Sequence, residues 1–92
     1  MNARKTKQRG KGASRDKKID RLIGQATRSH RSKQGLSQTA LGELLGVTFQ
    51  QIQKYERGIN SVAAARIPDL CNALGISADE LFEGTGIKLR LR

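Results

Sequence analysis

The sequence predicts an all-α fold, and three observations carry that prediction. Apolar residues recur at helical spacing, four Gly-apolar steps stand where helices would stop, and nothing between residues 17 and 83 alternates as a strand would. The expected architecture is five short helices around one core, spanning residues 17–83.

The first helix is expected over residues 17–34, because Ile19, Leu22, Ile23, Ala26 and His30 fall on one helical face. Gly35-Leu36 should end it. The same pairing returns at Gly46-Val47, Gly58-Ile59 and Gly75-Ile76. Glycine adopts the left-handed conformation that closes a helix, and the apolar residue after it can pack back on the last turn. Starts are marked by Ser37, by Thr48 with Gln51 three positions on, and by Ser77 with Glu80 three positions on; the last two read as capping boxes. The remaining helices are therefore expected at 38–45, 49–57, 63–74 and 78–83. Pro68 falls early in the fourth, where it either occupies the first turn or kinks the helix.

Charge divides the chain differently. Eighteen Lys and Arg stand against eight Asp and Glu in 92 residues, giving a net charge of +10. That excess calls for a polyanionic partner. Residues 1–18 hold eight basic side chains and only Asp16 as an acid, and residues 2–16 hold no large apolar group. Such a stretch buries too little surface to offset its ordering entropy, so residues 1–16 are expected to be a disordered basic arm. Residues 19–83 carry seven charges of each sign, and the tail 84–92 adds Lys88, Arg90 and Arg92. Within the folded part, residues 19–60 sum to +3 and residues 61–83 to −3, so one half suits phosphates and the other does not.

Composition excludes several function classes. One cysteine, Cys71, and one histidine, His30, allow no internal disulfide, no Cys/His metal cluster and no catalytic triad. Neither an enzyme nor a cofactor-binding protein is expected. Three aromatics are too few for the stacking platforms of single-strand binders, so duplex DNA is the better polyanion. No apolar run suits a signal peptide or a spanning helix, which leads to the expectation of a cytoplasmic, nucleoid-associated protein with no membrane partner and no small-molecule substrate.

The informative unit runs from Gln38 to Arg57. Leu41, Leu45, Val47, Ile52 and Tyr55 should point inward, Gly42 should permit close approach, and Gly46 should make the turn. Phe49, Gln50, Gln51, Lys54 and Arg57 are left on the outer face of the second helix. That face fits a major groove, where Gln can bond adenine, Lys can reach guanine and an apolar group can meet the thymine methyl.

The strings Gly35-Leu36-Ser37-Gln38, Leu41-Gly42-Glu43-Leu44-Leu45-Gly46-Val47-Thr48, Ile52-Gln53-Lys54-Tyr55-Glu56-Arg57-Gly58 and Leu74-Gly75-Ile76-Ser77 closely resemble the lambda repressor/Cro-like helix-turn-helix family of bacterial and phage regulators. The resemblance runs from about Ile23 to Phe82. It implies a lambda repressor-like domain that reads bases through Thr48, Phe49, Gln50 and Lys54, and an ion pair of structural role between Arg31 and Glu56. It implies a phosphate contact at Gln38. Gln51, Arg57, Asn60 and Ser61 are further backbone candidates, as are Arg4, Lys5, Lys7 and Arg9 of the arm. Thr27 and His30 depart from the family pattern, which has apolar residues there.

The expected function is sequence-specific binding of double-stranded DNA by a homodimer on an inverted-repeat operator, regulating transcription. With room for one core only, repression by occluding a promoter is the simplest mechanism. The alternating tail Ile87-Lys88-Leu89-Arg90-Leu91-Arg92 is a candidate dimerisation strand. A second reading is an antitoxin or bridging adaptor that holds a protein partner through the same helical domain.

Overall fold

A computed structural model describes residues 16–87. The basic arm, with Arg4, Lys5, Lys7 and Arg9, and the tail from Lys88 onward lie outside the described residues. Five α-helices follow in order: α1 (Lys17–Lys33), α2 (Gln38–Leu45), α3 (Phe49–Arg57), α4 (Ile67–Leu74) and α5 (Ala78–Glu83). Among the described residues there is no strand.

All four Gly-apolar steps terminate helices as expected. Gly35, Gly46, Gly58 and Gly75 have φ between 69 and 73°. The N–H after each glycine donates five residues back: Leu36 to the Arg31 carbonyl at 3.1 Å, Val47 to Gly42 at 2.9 Å, Ile59 to Lys54 at 2.9 Å and Ile76 to Cys71 at 3.0 Å. These bonds satisfy carbonyls that a helix end would otherwise leave open. At the starts, Asp16 accepts from the Lys18 and Ile19 N–H groups, and Ser37, Thr48 and Ser77 accept from Ala40, Gln51 and Glu80. Only Ser77 and Glu80 close a reciprocal capping box; Thr48 forms its half alone, because the Gln51 side chain does not turn back.

The fourth helix is shorter than the sequence suggested. A 3-10 turn at Ala64–Arg66 precedes α4, and Pro68 lies in the first turn of that helix. Its ring would collide with the carbonyl four residues back, that of Ala64, if one α-helix ran through. The chain avoids the clash by winding tighter first.

The core is formed by Ala26, Leu41, Leu45, Ile52, Tyr55, Leu70, Cys71, Leu74 and Leu81, with Val47, Val62, Ile67, Ala73 and Ile76 packed against it. Around it α1 packs on α3 and α5, α2 on α3 and α4, and α4 on α5. The two departures from apolar character on α1 are accommodated differently. Thr27 is 1% exposed, and its hydroxyl donates to the Ile23 carbonyl at 2.8 Å, so the buried oxygen is satisfied inside its own helix. His30 stays half-buried in the groove between α1 and α5, beside Glu80, Glu83 and Gly84.

Gly24 and Gly42 each leave room for backbone that a side chain would fill. A Cβ on Gly24 would collide with the Tyr55 carbonyl and lie 2.6 Å from the Glu56 carbonyl, so α1 crosses the last turn of α3 in near-backbone contact. A Cβ on Gly42 would lie 2.6 Å from the Val47 carbonyl. Gly42 thus makes room for the turn itself rather than for α3.

Candidate nucleic-acid interface

Helix α3 has a buried side and an exposed one. Ile52 and Tyr55 enter the core, and Glu56 is only 7% exposed. Gln50, Lys54 and Arg57 are exposed, and their spacing of four and then three residues puts them on one stripe. Phe49 opens the helix 43% exposed, with Gln53 one turn further along the same side. The outward surface is one aromatic ring, two amides and two cations.

Thr48 sits exposed at the N-cap, its Oγ1 accepting from the Gln51 N–H at 3.1 Å and its own proton left to donate outward. Gln51 is half-buried behind Gln50. Thr48, Phe49, Gln50 and Lys54 are therefore brought together on one accessible surface. A helix carrying that surface on one side and a packed core on the other holds its side chains in register.

Beneath α3 lies the ion pair. Arg31 Nε donates to Glu56 Oε2 at 2.6 Å and Nη2 donates to Oε1 at 3.1 Å, a two-pronged contact between side chains 13% and 3% exposed. Arg31 Nη1 also donates to the Leu36 carbonyl at 2.9 Å. Hydrogen bonding to Glu56 raises the Arg31 pKa above its ordinary value, with burial opposing it and the carboxylate's charge adding to it. This pair ties the end of α1 and the loop before α2 to the last turn of α3.

Gln38 and Ser61, both expected on phosphate, are already engaged inside the protein. Gln38 Nε2 donates to Glu56 Oε1 at 3.0 Å, and Ser61 Oγ donates its single proton to Asp20 Oδ2 at 2.8 Å. An anion would have to displace these bonds to use the same donors. Asn60 is half-buried, with its backbone N–H on the Lys54 carbonyl at 3.3 Å. Arg57 is exposed and faces an open polar cleft.

That cleft lies where α1, the start of α2 and α3 meet, and it is lined by Arg28, Ser37, Gln38, Gln53 and Arg57 above the ion pair. Ser37 caps α2 through the Ala40 N–H, and the N–H groups of Gln38 and Thr39 remain at the positive end of that helix. Two guanidinium groups and a helix N-terminus facing one hollow can seat an anion. Sequence reasoning missed Arg28 and Gln53. The signals were there: Arg28 precedes Arg31 by three residues on one face, and Gln53 follows Phe49 by four.

Among the described residues no helix is long and apolar enough to cross a membrane, and no three His, Cys, Asp or Glu side chains group as metal ligands. Cys71 is buried in the core, and burial pushes its thiol pKa up.

Comparison with known proteins places this geometry in a group. A family model described as helix-turn-helix matches residues 28–81. An uncharacterized HTH-type transcriptional regulator of Sinorhizobium fredii is 47% identical over 72 residues, 78% of this chain and 50% of that protein. An uncharacterized transcriptional regulator in the ATPase CF(0) region of Rhodospirillum rubrum is 44% identical over 64 residues, 70% of this chain and 59% of that protein. The chain spans about half the length of the relatives it matches. Among solved structures, the restriction-modification controller protein C.AhdI from Aeromonas hydrophila superposes with a TM-score of 0.66 at 36% identity, covering 70% of this chain and 97% of that one. The P22 c2 repressor, solved in complex with a synthetic operator, gives 0.62 at 33% identity, covering 68% and 96%. The observed fold is thus the lambda repressor-like arrangement that the sequence resembled.

Proposed function

The chain belongs to the helix-turn-helix family, and from that premise we propose that it is a sequence-specific regulator of transcription that binds duplex DNA as a homodimer. The carrying observation is the exposed stripe of α3: Gln50, Lys54 and Arg57 in line, with Phe49 at its head and Ile52, Tyr55 and Glu56 anchored behind. The likeness to a repressor solved on an operator supports the same reading.

On this reading α3 enters the major groove by its N-terminal turn. Gln50 offers an amide with both donor and acceptor to an adenine edge, Lys54 reaches guanine acceptors, Thr48 donates its hydroxyl proton, and Phe49 lies on a thymine methyl. Arg57 and Arg28, with the start of α2, hold a phosphate in the cleft, and Gln38 joins them once its amide leaves Glu56. Gln51 and Asn60 are secondary donors at the rim, while Ser61 stays on Asp20. The Arg31–Glu56 pair stays off the DNA and fixes the angle of α3. A second copy places a second α3 one helical turn away, about 34 Å along the duplex, and such a dimer on an inverted repeat occludes a promoter. The domain division follows: a basic arm over residues 1–16, the reading domain over 17–83, and a tail over 84–92 that supplies the dimer contact.

Lys54→Ala tests the assignment of base reading. It should cost about 1–3 kcal/mol on the preferred site and relax preference at one base pair. Equal weakening on preferred and random duplexes would place Lys54 on phosphate instead.

A further inference from the structure

The loop that follows α3 is uncharged from Ile59 to Ala65, and Ile59 is 51% exposed within it. Arg57 and Arg66 border that loop along the chain, Arg66 turned to the Leu45 carbonyl at 3.2 Å, and α1 brings further cations beside it. Gly58 has no side chain, and a Cβ there would lie 2.6 Å from the Arg21 Cγ and 2.8 Å from the Arg21 backbone. The first turns of α1 therefore rest directly against the C-terminal end of α3. Ser61 holds the loop to the same turns through Asp20.

Lys17, Lys18 and Arg21 are all exposed, and Lys17 and Lys18 precede Arg21 by four and three residues, so the three share one face. None of them makes an ion pair with a described residue. The two acids in the vicinity are occupied: Asp16 caps α1 through two N–H groups, and Asp20 is half-buried and bonded to Ser61. The basic sequence that precedes Asp16 joins the protein at this point.

We propose that Lys17, Lys18 and Arg21 form a second phosphate-binding edge, which holds the DNA backbone bordering the groove beyond the C-terminal end of α3. This rests on the reading of α3 as the groove helix. The cleft with Arg28 and Arg57 grips one wall of the groove, and the α1 edge grips the other in place of the uncharged loop. Because phosphates carry no sequence, the edge adds affinity and salt dependence equally on every duplex.

The test measures binding of the full chain to a random-sequence duplex of about 30 bp across about 50–200 mM salt, comparing wild type with K17Q/K18Q/R21Q and with R57Q. Gln keeps the Arg21 Cγ that packs on Gly58, and K17Q/K18Q alone serves if the triple variant fails to fold. The expected result is a logarithmic salt slope flatter by about 2–3 units for the triple variant, or about 2 for the double, with an R21K variant retaining the wild-type slope. A slope unchanged by the α1 substitutions but flattened by R57Q would overturn the α1 edge and leave the groove helix standing. Wild type that binds no duplex at all would sink both.

Discussion

Removing Arg31 should unfold this domain more readily than any change on the exposed stripe of α3. Arg31→Met keeps the unbranched stem of the side chain but deletes three donated hydrogen bonds, two to Glu56 and one to the Leu36 carbonyl. Glu56 would remain with a side chain 3% exposed and a single bond from Gln38. Leaving a buried charge without its partner costs about 3–5 kcal/mol, whereas deleting an exposed pair costs about 1 or less. A domain of this size holds roughly 5–15 kcal/mol in total, so the variant should lose about a fifth of its stability or more. For a loss of 3 kcal/mol the thermal midpoint should fall by roughly 12–24 °C. Urea titration with the m-value checked for constancy measures the loss, and the double variant Arg31→Met/Glu56→Leu should recover most of it, because no charge is then left stranded. A single-variant cost below about 1 kcal/mol would refute the claim that the pair is buried and structural.

Two other changes follow from the packing. Gly24→Ala should destabilise by about 2–3 kcal/mol in the same titration, since the added methyl meets backbone carbonyls of Tyr55 and Glu56 that cannot rotate away; the better helix propensity of Ala returns about 1 kcal/mol at most, and a net gain in stability would contradict the close crossing. Cys71 should resist thiol reagents at neutral pH except through unfolding. Its folded pKa is raised, so its contribution is complete below the ordinary thiol pKa and is lost as pH rises through the folded value. As pH rises above the ordinary thiol pKa of about 8.5, the wild type should lose stability faster than Cys71→Ala, and parallel curves would show that the thiol is not held neutral.

Local chemistry was legible and long-range geometry was not. The four glycine stops could be read because each signal lies within three residues of the end it marks, and each delivers the backward bond that the motif requires. Pro68 carried enough information to rule out a continuous helix from residue 63, since the collision with Ala64 follows from ring geometry alone. By contrast, Gln38 and Ser61 find Glu56 and Asp20, which lie 18 and 41 residues away. No local pattern announces such partners. Gly24 carried a weaker signal: a glycine inside an amphipathic helix costs about 1 kcal/mol against Ala, so a packing reason was to be suspected. The Arg31–Glu56 pair was anticipated only through the family resemblance, and its two-pronged geometry fixes the end of α3 against α1.

The central claim is that α3 reads duplex DNA, and selection of bound sequences from a random duplex pool by the full chain at a stated salt concentration tests it most directly. The account predicts enrichment of an inverted repeat with half-sites about 10 bp apart, centre to centre, and loss of preference within each half-site on substituting Phe49, Gln50 or Lys54. Retention of all sequences alike, or enrichment that those substitutions leave untouched, would contradict it.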